Sequence, residues 1–213
     1  MPRQFTTTHL AASAALALVI GGTAGYLLAP DGTEKRVSAD STCPDISTSD
    51  SVSDAFSRLV GSGGDVGSTV TEKGQSTDTY HYGCTVQVDG GGRILLTADL
   101  VKSGSVSDWK TNLERNGDIG SKNDYKSFAL GKTGHGVASS FSAAIYVPCK
   151  PVGSKLFVEP NLSVEVTKLD REGDADANRS DAAQVARALA VHAQSGAHCE
   201  DAERLPTGPI KWS

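Results

Sequence analysis

Apolar residues recur at helical spacing between Ser49 and Val60, where Val52, Ala55, Phe56, Leu59 and Val60 fall at i, i+3, i+4, i+7 and i+8. Ser49 or Asp50 is placed to cap that helix, and Gly61 to end it. Gly61–Gly64 then reads as a flexible connection. The period changes to two over Thr79–Val88, putting Tyr80, Tyr82, Cys84, Val86 and Val88 on one face. Asp89-Gly90-Gly91-Gly92 is a hairpin signal, and Arg93–Val101 returns with Ile94, Leu96, Ala98 and Leu100 inward. A weaker strand is expected over Ser68–Lys73.

Val106, Trp109 and Leu113 predict a short helix closed by Asn116-Gly117. Tyr125–Leu130 and Val137–Val147 read as an antiparallel pair joined across Gly131-Lys132-Thr133-Gly134-His135-Gly136. Leu162, Val164 and Val166 mark a strand ending near Leu169. A polar segment, Asp170–Asn178, leads to Ser180, expected to cap a helix from Asp181 to the region of Ala197. Ala182, Val185, Ala186, Leu189 and Ala193 form its apolar stripe. Helix, strands, short helix, strands and long helix give an α+β layout, an antiparallel sheet with flanking helices. That domain is expected over residues 43–205, with 206–213 as a C-terminal tail.

A different pattern occupies the N-terminus. From Gln4 to Ala29 there is no Asp, Glu, Lys or Arg. Leu10–Ala29 is twenty residues long, which as a helix spans a hydrocarbon core of roughly 30 Å. A transmembrane helix over 10–29 is therefore expected, with 1–9 cytoplasmic and 30–42 a polar linker opened by Pro30, Asp31 and Gly32. Arg3 and the α-amine favour an inside N-terminus, while Lys35 and Arg36 on the far side oppose it. A cleaved signal peptide is the rival reading, with Thr23-Ala24-Gly25 as a small-residue site. Ala17, Gly21 and Gly25 lie four apart on one face and offer a helix-packing ridge, although Ala and Gly are frequent in such spans.

The cysteines bear on direction. Cys43, Cys84, Cys149 and Cys199 all follow the apolar segment, and no CxxC occurs. An even count at wide spacing argues for two structural disulfides outside the reducing cytosol rather than a zinc site. Three connectivities are open; Cys43–Cys84 with Cys149–Cys199 is favoured, since each pair ties a helix region to a strand close in the chain. Topology is then N-in, C-out, with the bilayer as partner of residues 10–29. No apolar residue stands three positions before Cys43, so a lipoprotein signal is missing. All 25 acidic residues and all but one of the 20 basic residues lie beyond residue 30, leaving about −6 there. Such a balance gives no footprint for nucleic acid.

The element order, with Cys84, Cys149 and Cys199 at sheet and helix ends, resembles small secreted or lipid-anchored envelope proteins of actinobacteria, including the DUF3558 group. The likeness covers most of 43–200 and implies a fold related to the Mog1/PsbP-like sandwich. It carries no functional residues with it, and the missing lipoprotein signal is a departure from it.

Several short motifs invite chemistry and fail on context. Ser107-Asp108-Trp109-Lys110, Ser121-Lys122-Asn123 and Lys132-Thr133-Gly134 have the motif types of serine β-lactamases in the right order, but crowd into 28 residues where that fold separates them widely. Gly131-Lys132-Thr133 lacks the earlier glycine of a phosphate loop, Lys126 standing there. Asp174, Asp176 and Asn178 alternate like a calcium loop, yet Arg179 and Val185 replace its glycine and bidentate glutamate. His81, His135, His192 and His198 are scattered, and GxSxG and HExxH are absent. Asn161-Leu162-Ser163 and Asn178-Arg179-Ser180 match the glycosylation pattern. No catalytic, cofactor or metal residue is assigned. The expectation is a binding or interaction module of a cell envelope, meeting an envelope protein or cell-wall ligand. The alternative is a cell-wall-directed hydrolase whose site is assembled from non-adjacent residues.

Overall fold

Alternation in the chain is strongest where one side of a strand meets the core, and there it builds a three-stranded meander. The structure, a computed structural model, describes residues 37, 39–44, 46, 49–76, 78–102, 104–120, 123–155, 160–200 and 202–213. Strands β1 (Val66–Ser76), β2 (Thr79–Val88) and β3 (Arg93–Lys102) pair antiparallel in sequence order. Tyr80, Tyr82, Cys84, Val86 and Val88 are all buried, as are Ile94, Leu96 and Ala98 opposite. At the β2–β3 turn Val88 N donates to Gly92 O, and Gly90 takes the positive φ that the hairpin requires.

The second half inserts itself beside the first. Strands β4 (Lys126–Leu130), β5 (Gly134–Ala138), β6 (Ser142–Pro148) and β8 (Pro160–Lys168) complete a seven-stranded sheet in the order β1-β2-β3-β8-β6-β5-β4, every neighbouring pair antiparallel. β8 is the central strand and is buried on the helical face through Leu162, Val164 and Val166. β7 (Lys150–Pro151) and β9 (Cys199–Glu200) form a separate two-stranded ladder.

Helices α1 (Asp50–Val60) and α3 (Ala175–Gly196) cover one face of the sheet together. Their stripes, Val52, Ala55, Phe56, Leu59 and Val60 on one and Ala182, Val185, Ala186, Leu189 and Ala193 on the other, are buried in the main core. Helix α2 (Val106–Asn116) is seated on the other face through Trp109 and Leu113, which with Ile119 meet Val137, Ala144 and Tyr146 in a second core. A reciprocal capping box between Ser105 and Asp108 fixes the start of α2.

Two disulfides staple the layers. Cys43–Cys84 ties the chain ahead of α1 to β2, and Cys149–Cys199 ties the end of β6 to β9. Their separations of 41 and 50 residues correspond to about 4 kcal/mol each from restricting the unfolded chain. Two such bonds are the mark of an oxidising compartment.

Four expectations need correction or placing. Val137–Val147 is two strands, not one. Ser139 interrupts it by donating its N–H to Ser142 O at 2.7 Å and accepting at Oγ from Ser142 N at 3.1 Å, which closes a hairpin inside an apolar run. The long helix begins at Ala175, six residues before Asp181, because Asp174 caps it by accepting from Ala177 N at 2.8 Å. Ser180 is then an interior residue. β1 is longer than Ser68–Lys73 at both ends. Leu10–Ala29, and with it Ala17, Gly21 and Gly25, lies outside the described residues; among those described, no helix is long and apolar enough to cross a membrane.

Candidate functional site

Helix α2 is seated mainly over β5, β6 and β8, with Val101 of β3 packed at its margin, and a cleft opens beside it. Side chains on this face alternate with the buried ones, so Ser163 and Glu165 of β8 stand beside Tyr146 and Ala144 of β6 and Asp99 and Thr97 of β3. The cleft has a volume near 180 Å³, and its lining includes Trp109, Asp118, Tyr146, Ser163 and Glu165, with Lys102 also present.

Its aromatic wall is fixed by hydrogen bonds. Trp109 Nε1 donates to Ser163 Oγ at 3.1 Å, and Tyr146 OH donates to Gly104 O at 2.5 Å. The two rings lie 5.3 Å apart, tilted by 34°. Held this way, they leave Glu165 on the floor. Burial, with the negative charges of Asp118 and Asp99 added, raises the Glu165 carboxyl from 4.5 to about 7. Among the described residues no cation is paired with it. Asp99 is itself paired with His81, Nδ1 to Oδ1 2.7 Å, on the open sheet surface beyond the cleft.

A larger cleft, near 370 Å³, lies beside the Cys149–Cys199 disulfide and contains Lys132, Lys150, Glu200 and Glu203. Three of its four charged side chains are already engaged, and Lys132 contributes its backbone N–H. Lys150 pairs with Glu200 at 3.6 Å, and Glu203 accepts from Lys132 N, Thr133 N and Thr133 Oγ1 at 2.7, 3.1 and 2.8 Å. Size alone favours this cleft; the unpaired, perturbed carboxyl favours the smaller one.

The motifs singled out in the sequence serve local structure. Ser107 is exposed on α2, Lys110 Nζ donates to Ser127 Oγ at 3.4 Å, and Lys132-Thr133 is the turn held by Glu203. Ser121 and Lys122 lie outside the described residues. Asp174 caps α3, Asp176 pairs with Lys126 and Arg179, and Asn178 Nδ2 donates to Glu172 O, so the calcium-like run is the first turn of a helix. Among the described residues no group of His, Cys, Asp and Glu could hold a metal ion. Asn161 and Asn178, the two glycosylation matches, are both buried. His192 meets the Tyr82 ring edge-on at 5.0 Å, while His135 and His198 are exposed.

Glu165 and Asp118 were not singled out by the sequence. Glu165 is the one charged residue between Pro160 and Val166, and its outward position in an alternating strand reads as solvated. Only the seating of α2 makes it a cleft residue. No protein-family model, curated protein or solved structure matches this chain.

Proposed function

We propose that this chain is a membrane-anchored binding module of a cell envelope, with its folded domain outside the cytoplasmic membrane and its ligand received in the cleft beside α2. In this reading Leu10–Ala29 is the single-pass anchor, N-terminus inside, and the two disulfides report the oxidising side. The resemblance of the element order to that of the DUF3558 group of envelope proteins supports that location.

Glu165 is the observation that carries the binding half. A carboxyl at the floor of a partly dry cleft, with no cation paired to it, is incomplete without a hydrogen-bond donor or an ammonium group. A volume near 180 Å³ takes a side-chain-sized group rather than a whole cofactor. An amine-bearing cell-wall fragment has both properties. The test is binding of soluble peptidoglycan fragments to the full chain in mild detergent, before and after acetylation of their free amines. Binding that is lost on acetylation and in Glu165→Ala supports the proposal. Equal binding by Glu165→Ala, or none by the wild type, refutes it.

One observation favours a second reading. Asp118 lines the cleft with Glu165, and a carboxyl raised to about 7 with a second carboxyl in the same cleft has the character of the general acid of a glycoside hydrolase. New reducing ends released from the same fragments, with a rate maximum near pH 7 that Glu165→Gln abolishes, would establish this hydrolase in place of the binding module.

A further inference from the structure

The two edges of the seven-stranded sheet are finished differently. The β4 edge is covered by the chain's own C-terminus: Trp212 bridges to Phe128 in antiparallel fashion, and Ser213 N donates to Ser127 O at 2.9 Å. The short helix Ala39–Thr42 lies against β1, but no strand or bridge pairs with the outer edge of β1 among the described residues, although β1 is 11 residues long.

Its open hydrogen-bonding groups can be named. Asp65 O accepts from Asp89 N at 3.0 Å, so odd-numbered residues of β1 turn their N–H and C=O toward β2. Val66, Ser68, Val70 and Glu72 therefore turn theirs outward. Proteins usually blunt such an edge with proline, with charge, with a bulge or by keeping it short. β1 contains no proline, its adjacent Glu72 and Lys73 cancel, and its irregularity lies only at the far end, between Lys73 and Ser76. Val66 and Val70, 42% and 40% exposed, stand next to the edge on the helical side of the sheet.

We propose that β1 pairs antiparallel with β1 of a second copy of this chain about a two-fold axis at Val70, so that one sheet runs through both copies. That register is self-complementary. It sets Val70 against Val70, Thr69 against Thr71, and Ser68 against Glu72, and brings no like charges opposite one another. Moving the axis by one residue either way sets Val70 against Glu72 or against Ser68 and separates the valines. The pairing satisfies the outward N–H and C=O groups of both strands and covers both Val70 side chains.

Sedimentation of the full chain in mild detergent, over a range of concentrations, tests this. The wild type should dissociate on dilution. Val70→Pro removes an N–H that points away from β2, leaving the β1–β2 ladder intact, and should weaken the dimer by about tenfold or more, which is about 1.4 kcal/mol. Val70→Lys keeps the backbone donor and should weaken it similarly through charge. Near-UV circular dichroism of each variant checks that the fold is retained. In Val70→Cys the introduced thiols should bond to each other across the axis, where paired Cα atoms sit at roughly 5.5 Å. A wild type that is monomeric throughout, equal dissociation of wild type and folded variants, or a failure of the introduced thiols to cross-link, overturns the proposal.

Discussion

Arg58 of α1 grips Asp181 of α3 through both carboxylate oxygens, Nε to Oδ2 at 2.9 Å and a terminal nitrogen to Oδ1 at 2.7 Å. The pair is lopsided: the Asp181 side chain is 5% exposed and that of Arg58 56%. Removing the arginine therefore strands a buried charge, whereas removing both groups strands nothing. Arg58→Ala should cost about 2 kcal/mol, less than for a fully dry pair because water can reach the vacated side. Urea unfolding is the measurement, and Arg58→Leu combined with Asp181→Leu should lose less than Arg58→Ala alone.

Gly136 lies directly opposite Phe128 in the β4–β5 ladder, and the Phe128 ring lies across it. A Cβ at that position would stand 2.2 Å from two ring carbons. The same ring meets Trp212 edge-on at 5.4 Å, so the glycine holds the C-terminal segment down at one remove. Gly136→Ala should destabilise by about 1–3 kcal/mol through overpacking and push Phe128 off its seat. Acrylamide quenching should then show Trp212, now 37% exposed, becoming more accessible. Unchanged quenching would mean that the ring relaxes without disturbing the C-terminus.

What the sequence disclosed follows from which surfaces are half-buried. β2 and β3 alternate cleanly because one side of each meets the core, and the stripes of α1 and α3 are visible for the same reason. β1 was faint because its described side chains are exposed on both faces, which removes the period-two signal. The hairpin at Ser139–Phe141 was hidden because Ser139 and Ser142 are buried inside an apolar run, where serine does not read as a turn. The cleft was invisible for a third reason. Glu165 and Asp118 are 47 positions apart, and only the packing of Trp109 and Leu113 onto Tyr146 and Ala144 brings them to one place.

Glu203 gives a pH-dependent contact that can be followed locally. Hydrogen bonds from the backbone of Lys132, then from the Thr133 hydroxyl, hold its carboxyl below the ordinary glutamate range. A depressed value means the grip is complete above the ordinary carboxylate range and is lost as pH falls through the lowered value. The amide resonances of Lys132 and Thr133 should therefore titrate together, at a pH below that of an exposed glutamate. In Glu203→Gln both should be insensitive to pH over that interval. Amides that do not move in the wild type would show that the turn holds itself.

Glu165 works in the opposite direction, and over a different interval. Its carboxyl is raised from 4.5 to about 7 in the folded protein, mainly by burial. Below about pH 4.5 both folded and unfolded chains carry it protonated, and it contributes no pH dependence. Between there and pH 7 the unfolded chain has released the proton while the folded chain keeps it, so stability falls as pH rises. Above pH 7 both forms are ionised and the loss is constant, at most about 3 kcal/mol for a shift of this size. Glu165→Gln, neutral throughout, should match the wild type at pH 4 and exceed it by up to that amount at pH 8 in urea unfolding. The excess should shrink when a cationic ligand fills the cleft, because such a ligand stabilises the ionised wild type and not the amide. A constant difference between the two proteins from pH 4 to pH 8 would place the effect of the substitution in packing rather than in charge.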